Sequence, residues 1–319
     1  MSVAACLLLY SFGVAVLVPR PLARLTRKGV APRLGVAAWL AAIGSVLASW
    51  TVAAAVLADD LVRNWNQPGH IASACFAALR QVASGGAGLF LQAALLAVTA
   101  VAAGAVITLA WRLVGSLLRA RAHTHRHAQQ ARVVGRHVDG VDAVVLDAPE
   151  RVAYCVAGRP NTIVVTSATL DALDDRHLGA VLAHERAHLA GRHHQILAFT
   201  RGLAAILPRI ELFRTASREM ARLLEMCADD AAARRYGSPT LLGALLALSG
   251  RMPAPRGALG STGVDVLARA ERLALPTTRG DRWRTQLLLS AATLLVVGGP
   301  MLTGVLAATG LALCGPLMS

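Results

Sequence analysis

Five consecutive residues, His184-Glu185-Arg186-Ala187-His188, have the types and spacing of a hydrolytic metal site. Residues four apart on a helix share one face, so both histidines can bind the same metal ion. Glu185 then lies beside the metal, where its carboxylate can take a proton from a bound water. The pattern predicts a helix that carries two zinc ligands and Glu185 as the catalytic base.

A second predicted helix offers a third ligand. The stretch from Ser217 to Arg235 is rich in Ala, Leu, Met and Arg and lacks Gly and Pro, and it places Glu225 and Asp229 on one face. A catalytic zinc takes three protein ligands, and two His with one Glu is an established set. We expect Glu225 to complete the site for one Zn²⁺ per chain, with Asp229 accepting an N–H from a ligand imidazole. The alternative is an exposed acid pair with Arg218 and Arg222 as salt-bridge partners.

The motif H-E-x-x-H, followed by a helix with E-x-x-A-D, resembles the gluzincin peptidases of families M48 and M56. The M56 antirepressor-like membrane zinc peptidases are the favoured match. The resemblance covers roughly residues 147–248 and the membrane layout. The resemblance implies that His184, His188 and Glu225 bind zinc. It implies that Glu185 is the general base and that Asp229 is the supporting acid. It also implies a polar supporting side chain at His193, a place that the adjacent His194 would fit almost as well.

Hydrophobic residues make up 55% of the chain, and the mean hydropathy is +0.53, which is too apolar for a soluble protein of 319 residues. A bilayer span takes about 20 apolar residues. Four runs approach or exceed that length: Val3–Val18, Leu34–Ala58, Ala87–Trp111 and Gln286–Met318. We expect Gly298-Gly299-Pro300 to kink or break the last one. The predicted fold is an α-helical membrane protein with four transmembrane helices and an α+β gluzincin-type zinc peptidase domain.

The spans divide the chain into three predicted parts. Residues 1–118 form a membrane region with three helices, 119–285 a cytoplasmic zinc peptidase domain, and 286–319 a C-terminal transmembrane helix. Basic residues cluster between the first two spans, after the third and before the fourth, and such clusters stay in the cytoplasm. The first run lacks a positive n-region, which favours a membrane anchor over a cleaved signal peptide. We therefore expect both termini outside a bacterial-type cell membrane.

The net charge of +14 raises the question of partners. Aromatic residues are only 4% of the chain and the basic residues flank the spans, so we expect no direct nucleic-acid binding. Attraction of these bases to anionic lipid headgroups of the bilayer accounts for the charge. The other expected partner is a protein or peptide substrate.

The catalytic region has its own secondary-structure signals. Short apolar runs predict strands at Ala143–Leu146, Val152–Val156 and Thr162–Thr166. Asp171 to Leu189 is expected to form the active-site helix, capped by Thr169 or Asp171. The stretch Ile196–Phe213 is either a hairpin at the membrane face or core packing between the two metal helices.

The sequence thus predicts a membrane-embedded zinc endopeptidase. It would hydrolyse a cytoplasmic or membrane-proximal protein by Glu185-assisted attack of zinc-bound water. The alternative, implied by the resemblance, is a signalling antirepressor whose proteolysis inactivates a transcriptional repressor. Direct recognition of β-lactams is not expected, because these 319 residues hold no penicillin-binding domain. A purely structural zinc site is disfavoured, because Glu185 is present.

Overall fold

The computed structural model describes residues 3–63, 88–138, 142–249, 263–275 and 278–308. Within these ranges the chain is mostly helical, with one small sheet. The helices are α1 Val3–Leu17, α2 Pro19–Thr26, α3 Pro32–Arg63, α4 Gly88–Val134, α5 Ser167–Ala172, α6 Asp175–Ala190, α7 His193–Ile206, α8 Glu211–Tyr236, α9 Ser238–Ser249, α10 Gly263–Ala274 and α11 Arg279–Ala308. The strands are β1 Arg136–His137, β2 Val144–Leu146, β3 Ala153–Val156 and β4 Thr162–Thr166.

Two of these helices, α3 and α11, are long and apolar enough to cross a membrane, with mean hydropathies of 2.0 and 1.8 over their best stretches. The pair α1 and α2, bent by 44°, becomes a third candidate if it counts as one span. Two or three candidate spans suggest a membrane protein. The predicted run Ala87–Trp111 falls almost entirely within α4, and its crossing of a bilayer stays a prediction. Residues 309–318 of the last predicted run lie outside the described part.

Helix α11 continues through Pro300, where a kink or break was expected. Proline has no N–H, so the carbonyl of Val296, four residues earlier, loses its helical donor. The hydroxyl of Tyr10 on α1 donates to that carbonyl at 2.8 Å. Gly299 leaves the space for the Tyr10 ring, because a Cβ there would lie 2.3 Å from the ring. A neighbouring helix thus replaces the hydrogen bond that proline removes.

The sheet has the order β1-β2-β4-β3, with β2 parallel to β4 and the other two pairs antiparallel. The predicted strands correspond to β2, β3 and β4, while the two-residue β1 was not expected. Side chains alternate along a strand. Val164 therefore faces Ala128 and Ala131 of α4, while Ile163 and Val165 pack with Leu178, Val181 and Leu182 of α6. The sheet lies between α4 and the metal helix.

The predicted active-site helix from Asp171 to Leu189 is in fact two helices, and its predicted caps, Thr169 and Asp171, are wrong. Both residues lie inside α5, and Leu173 is extended, with φ −120° and ψ 136°. Asp174 begins α6 instead, because its carboxylate accepts the backbone N–H of His177 at 2.8 Å. This cap starts the helix at Asp175.

Helix α8 begins six residues before the predicted start and shares a core with the candidate spans. Its buried residues Leu212, Phe213, Ala216, Met220 and Leu223 belong to the cluster that holds Trp39, Ile43 and Val46 of α3. Phe213 meets Trp50 of α3 edge to face, with 6.1 Å between ring centroids. The stretch Ile196–Phe213 is therefore core packing, and its neighbours include α1 and α3.

The corner between α2 and α3 is hydrogen-bonded to helix α8. Arg222 of α8 donates to the backbone carbonyls of Arg27 at 2.7 Å and Thr26 at 2.8 Å. Arg272 of α10 donates to the carbonyl of Gly29 at 2.8 Å. The basic corner between α2 and α3 is thus held against α8 three residues before Glu225.

Candidate metal centre

Helices α6 and α8 bring two histidines and one glutamate to a single point. The Nε2 atoms of His184 and His188 are 3.1 Å apart. The carboxylate of Glu225 lies 3.5 Å from the first nitrogen, through Oε2, and 3.4 Å from the second, through Oε1. In the described part of the chain, this is the group of three that could hold a metal ion.

These distances fit a zinc ion. With bonds of about 2.0–2.1 Å in a tetrahedron, ligand atoms lie about 3.3 Å from one another. The three separations of 3.1, 3.4 and 3.5 Å lie around that value. His184 is buried and the other two are half-buried, as expected for a pocket with one side open to a substrate. The donor set leaves one tetrahedral position for water.

A chain of charges stands behind His184. Its Nδ1 lies 3.0 Å from Oδ1 of Asp229, which is fully buried on α8. Arg269 of α10 donates to both oxygens of that carboxylate from one edge of its guanidinium, from Nε to Oδ2 at 2.8 Å and from Nη2 to Oδ1 at 2.7 Å. Its Nη1 lies 3.1 Å from Oε2 of Glu225. Arg269 therefore fixes both acids of α8.

Arg269 was absent from the sequence-based site. Its available signal was its position on the inner stripe of α10, three residues after Val266 and four before Leu273. A buried arginine requires an acidic partner, but the pattern did not indicate which one. Its contact with Asp229, 40 residues earlier in the chain, depends on the tertiary structure and could not be predicted from local sequence.

The structure places His193 on the metal centre and His194 away from it. His193 is buried at the start of α7, with Nδ1 2.8 Å from Nδ1 of His188. His194 is exposed. The preceding turn is built for this contact, because a Cβ on Gly191 would lie 2.4 Å from Nε2 of His193. Only glycine leaves room for that ring.

Glu185 lies beside Cys155 of strand β3. Burial raises the pKa of the Glu185 carboxyl, and the His184 charge and a hydrogen bond with the Cys155 thiol partly offset the rise. Burial and the neighbouring carboxylate raise the pKa of the Cys155 thiol. Glu185 thus occupies the space between the metal helix and an edge strand of the sheet.

The protonation of the ligands is uneven. Burial lowers the pKa of His184, but Asp229 and Glu225 outweigh it and raise the pKa to about 9. Burial lowers the pKa of His188 to about 4. Burial raises the pKa of Glu225, but His184, His188 and Arg269 outweigh it and lower the pKa to about 2. Near neutral pH without zinc, His184 holds a proton while His188 and Glu225 hold none.

Comparison with known proteins agrees with this geometry. Residues 118–222 match the model of Peptidase family M48, a range that includes the H-E-x-x-H motif and ends three residues before Glu225. No curated protein and no solved structure matches the chain. The chain therefore carries an M48-family zinc metallopeptidase domain, with its zinc site at His184, His188 and Glu225.

Proposed function

We propose that this protein is a membrane-embedded endopeptidase that cleaves a cytoplasmic or membrane-proximal protein. The observation that carries the proposal is the three-ligand zinc site, whose ligand Glu225 lies on α8, the helix that packs against the candidate span α3. When bound, zinc would acidify a water and polarise the substrate carbonyl. Glu185 would take the proton from that water and pass it to the amine that leaves when the C–N bond breaks.

Strand β3 is the proposed docking edge for the substrate backbone. In the sheet order it has β4 on one side and, among the described residues, no strand on the other. Because Glu185 lies beside Cys155 on β3, a peptide added along this edge would pass the catalytic base. Asp229, Arg269 and His193 would support the ligands without touching the substrate.

The basic corner between α2 and α3 supports a cytoplasmic site. Its positive residues favour the inner face of the membrane, and Arg222 binds its carbonyls one helical turn before Glu225. We propose that the zinc site faces the cytoplasm and that both termini lie outside.

An antirepressor of the M56 type, cutting a transcriptional repressor, is the second candidate. It is favoured by the core that α8 shares with α1 and α3, because a movement of those helices would move Glu225. The two candidates differ in substrate.

The test compares the native chain with Glu185→Gln, each purified whole in detergent, loaded with zinc and supplied with casein. We expect cleavage to fall by about 10²–10⁴-fold while each chain still binds one zinc. Undiminished cleavage by the variant, or none by the zinc-loaded native protein, would contradict the proposal. New protein N-termini in cells that express each form would then identify the substrate and decide between turnover and repressor cleavage.

A further inference from the structure

A large basic groove lies beside the metal centre. It encloses ≈ 1230 Å³ between α4, the turn from β3 to β4, and α7. Its charged and titratable lining consists of Arg121, His125, Arg159, Arg192, His194 and Arg201. No aspartate or glutamate lines it, and no ion pair among the described residues involves the four arginines.

The groove continues the proposed substrate path. Strand β3 packs against helix α6. Ala153 contacts the cluster that holds Leu178 and Leu182, and Cys155 lies beside Glu185. Just beyond them, Ala157 and Leu189 both line the groove. Leu189 directly follows the zinc ligand His188. A peptide laid along β3 would therefore leave the catalytic base and enter the groove.

The charge of the groove indicates what it would hold there. Four exposed arginines, in a groove whose lining holds no acidic residue, repel a basic segment and attract an acidic one. The backbone pairing along β3 carries no preference for side-chain charge, so the groove would add this selectivity.

We propose that the groove binds an acidic segment of the substrate polypeptide on one side of the scissile bond. This inference rests on the proposed peptidase function and adds a substrate class to it. Anionic lipid headgroups share this charge, but the groove is walled by the β3–β4 turn as well as by α4, and its lining begins at Ala157, the residue that follows β3. The peptide is therefore the occupant that the geometry favours.

The test measures kcat/KM of the zinc-loaded full chain, in uncharged detergent, on peptides with one common core. Each peptide carries four Glu, four Gln or four Lys on either the N-terminal or the C-terminal flank. We expect the acidic peptide to exceed the neutral one by about tenfold on one flank, and the preference to shrink at high salt. In Arg121→Glu/Arg201→Glu the ratio should fall to about one. The single charge reversal Arg176→Glu, on the exposed start of α6 and outside the groove, should keep it.

Equal rates on acidic and neutral peptides at both flanks would overturn the inference while leaving the peptidase proposal intact. If no peptide is cleaved, the binding of the same peptides, each carrying a fluorescent label, to zinc-loaded Glu185→Gln decides instead, by the acidic-to-neutral ratio of affinities. If the native chain shows no preference for the acidic peptide while the double variant loses binding to vesicles of anionic lipid, the groove is assigned to headgroups and the proposal is refuted.

Discussion

Replacing Arg269 by Gln removes the bidentate ion pair that the guanidinium makes with the buried carboxylate of Asp229. Removing one member of a buried ion pair costs about 3–5 kcal/mol. The lower end applies here, because protonated His184 lies 3.0 Å from Oδ1 of Asp229 in the zinc-free protein and keeps part of the compensation. At about 2–4 °C per kcal/mol, a loss of about 3 kcal/mol lowers the Tm by about 6–12 °C.

The assay is thermal unfolding of the full chain in detergent with zinc removed by a chelator. Arg214→Gln is the matched control, since Arg214 pairs with Glu211 at 3.2 Å with both side chains exposed, and its loss should cost less than about 1 kcal/mol. Adding Asp229→Asn to Arg269→Gln removes both charges and should restore at least half of the lost stability. If Arg269→Gln lowers the Tm no further than Arg214→Gln does, the reasoning about the buried pair is refuted.

Two further predictions concern zinc. Zinc must displace the proton of His184, whose pKa is about 9, while His188 at about 4 and Glu225 at about 2 are already deprotonated. Zinc affinity measured against a chelator should therefore rise about tenfold per pH unit between about pH 6 and 8; a slope near two or zero contradicts this protonation pattern. His193→Ala should weaken zinc binding by about 10–100-fold, because the His193 ring contacts the ligand His188. The control is His194→Ala, a change at the exposed neighbouring residue, which should leave zinc affinity unchanged. Equal effects of the two substitutions on zinc affinity would contradict the assignment of His193 as the supporting histidine.

Local signals in the sequence were enough for two of the three zinc ligands and for three of the four strands. The spacing in H-E-x-x-H fixes two ligands on one helical face, and β4 has the predicted bounds Thr162–Thr166. Both depend on residues close in sequence, where helix and strand periodicity apply directly.

The missed features depend on distant contacts. Arg269 reaches Asp229 from 40 residues away, and nothing in a periodic pattern pairs an arginine with one acid rather than another. The start of α8 was missed because Leu212 and Phe213 are buried by α1 and α3 rather than by their own segment. The break at Leu173 was missed because Asp174 competes with Asp171 as a cap, and only the fold decides between them.

The core shared by α8, α1 and α3 also bears on when the enzyme becomes active. The helix that carries Glu225 has no place to bury Phe213 and Met220 until α1 and α3 have come together. A newly made chain that has not inserted would hold the two histidines of α6 but lack a fixed third ligand. If α1 and α3 insert into a membrane as proposed, the third ligand would take its place only once that insertion is complete, and proteolytic competence would arise with it.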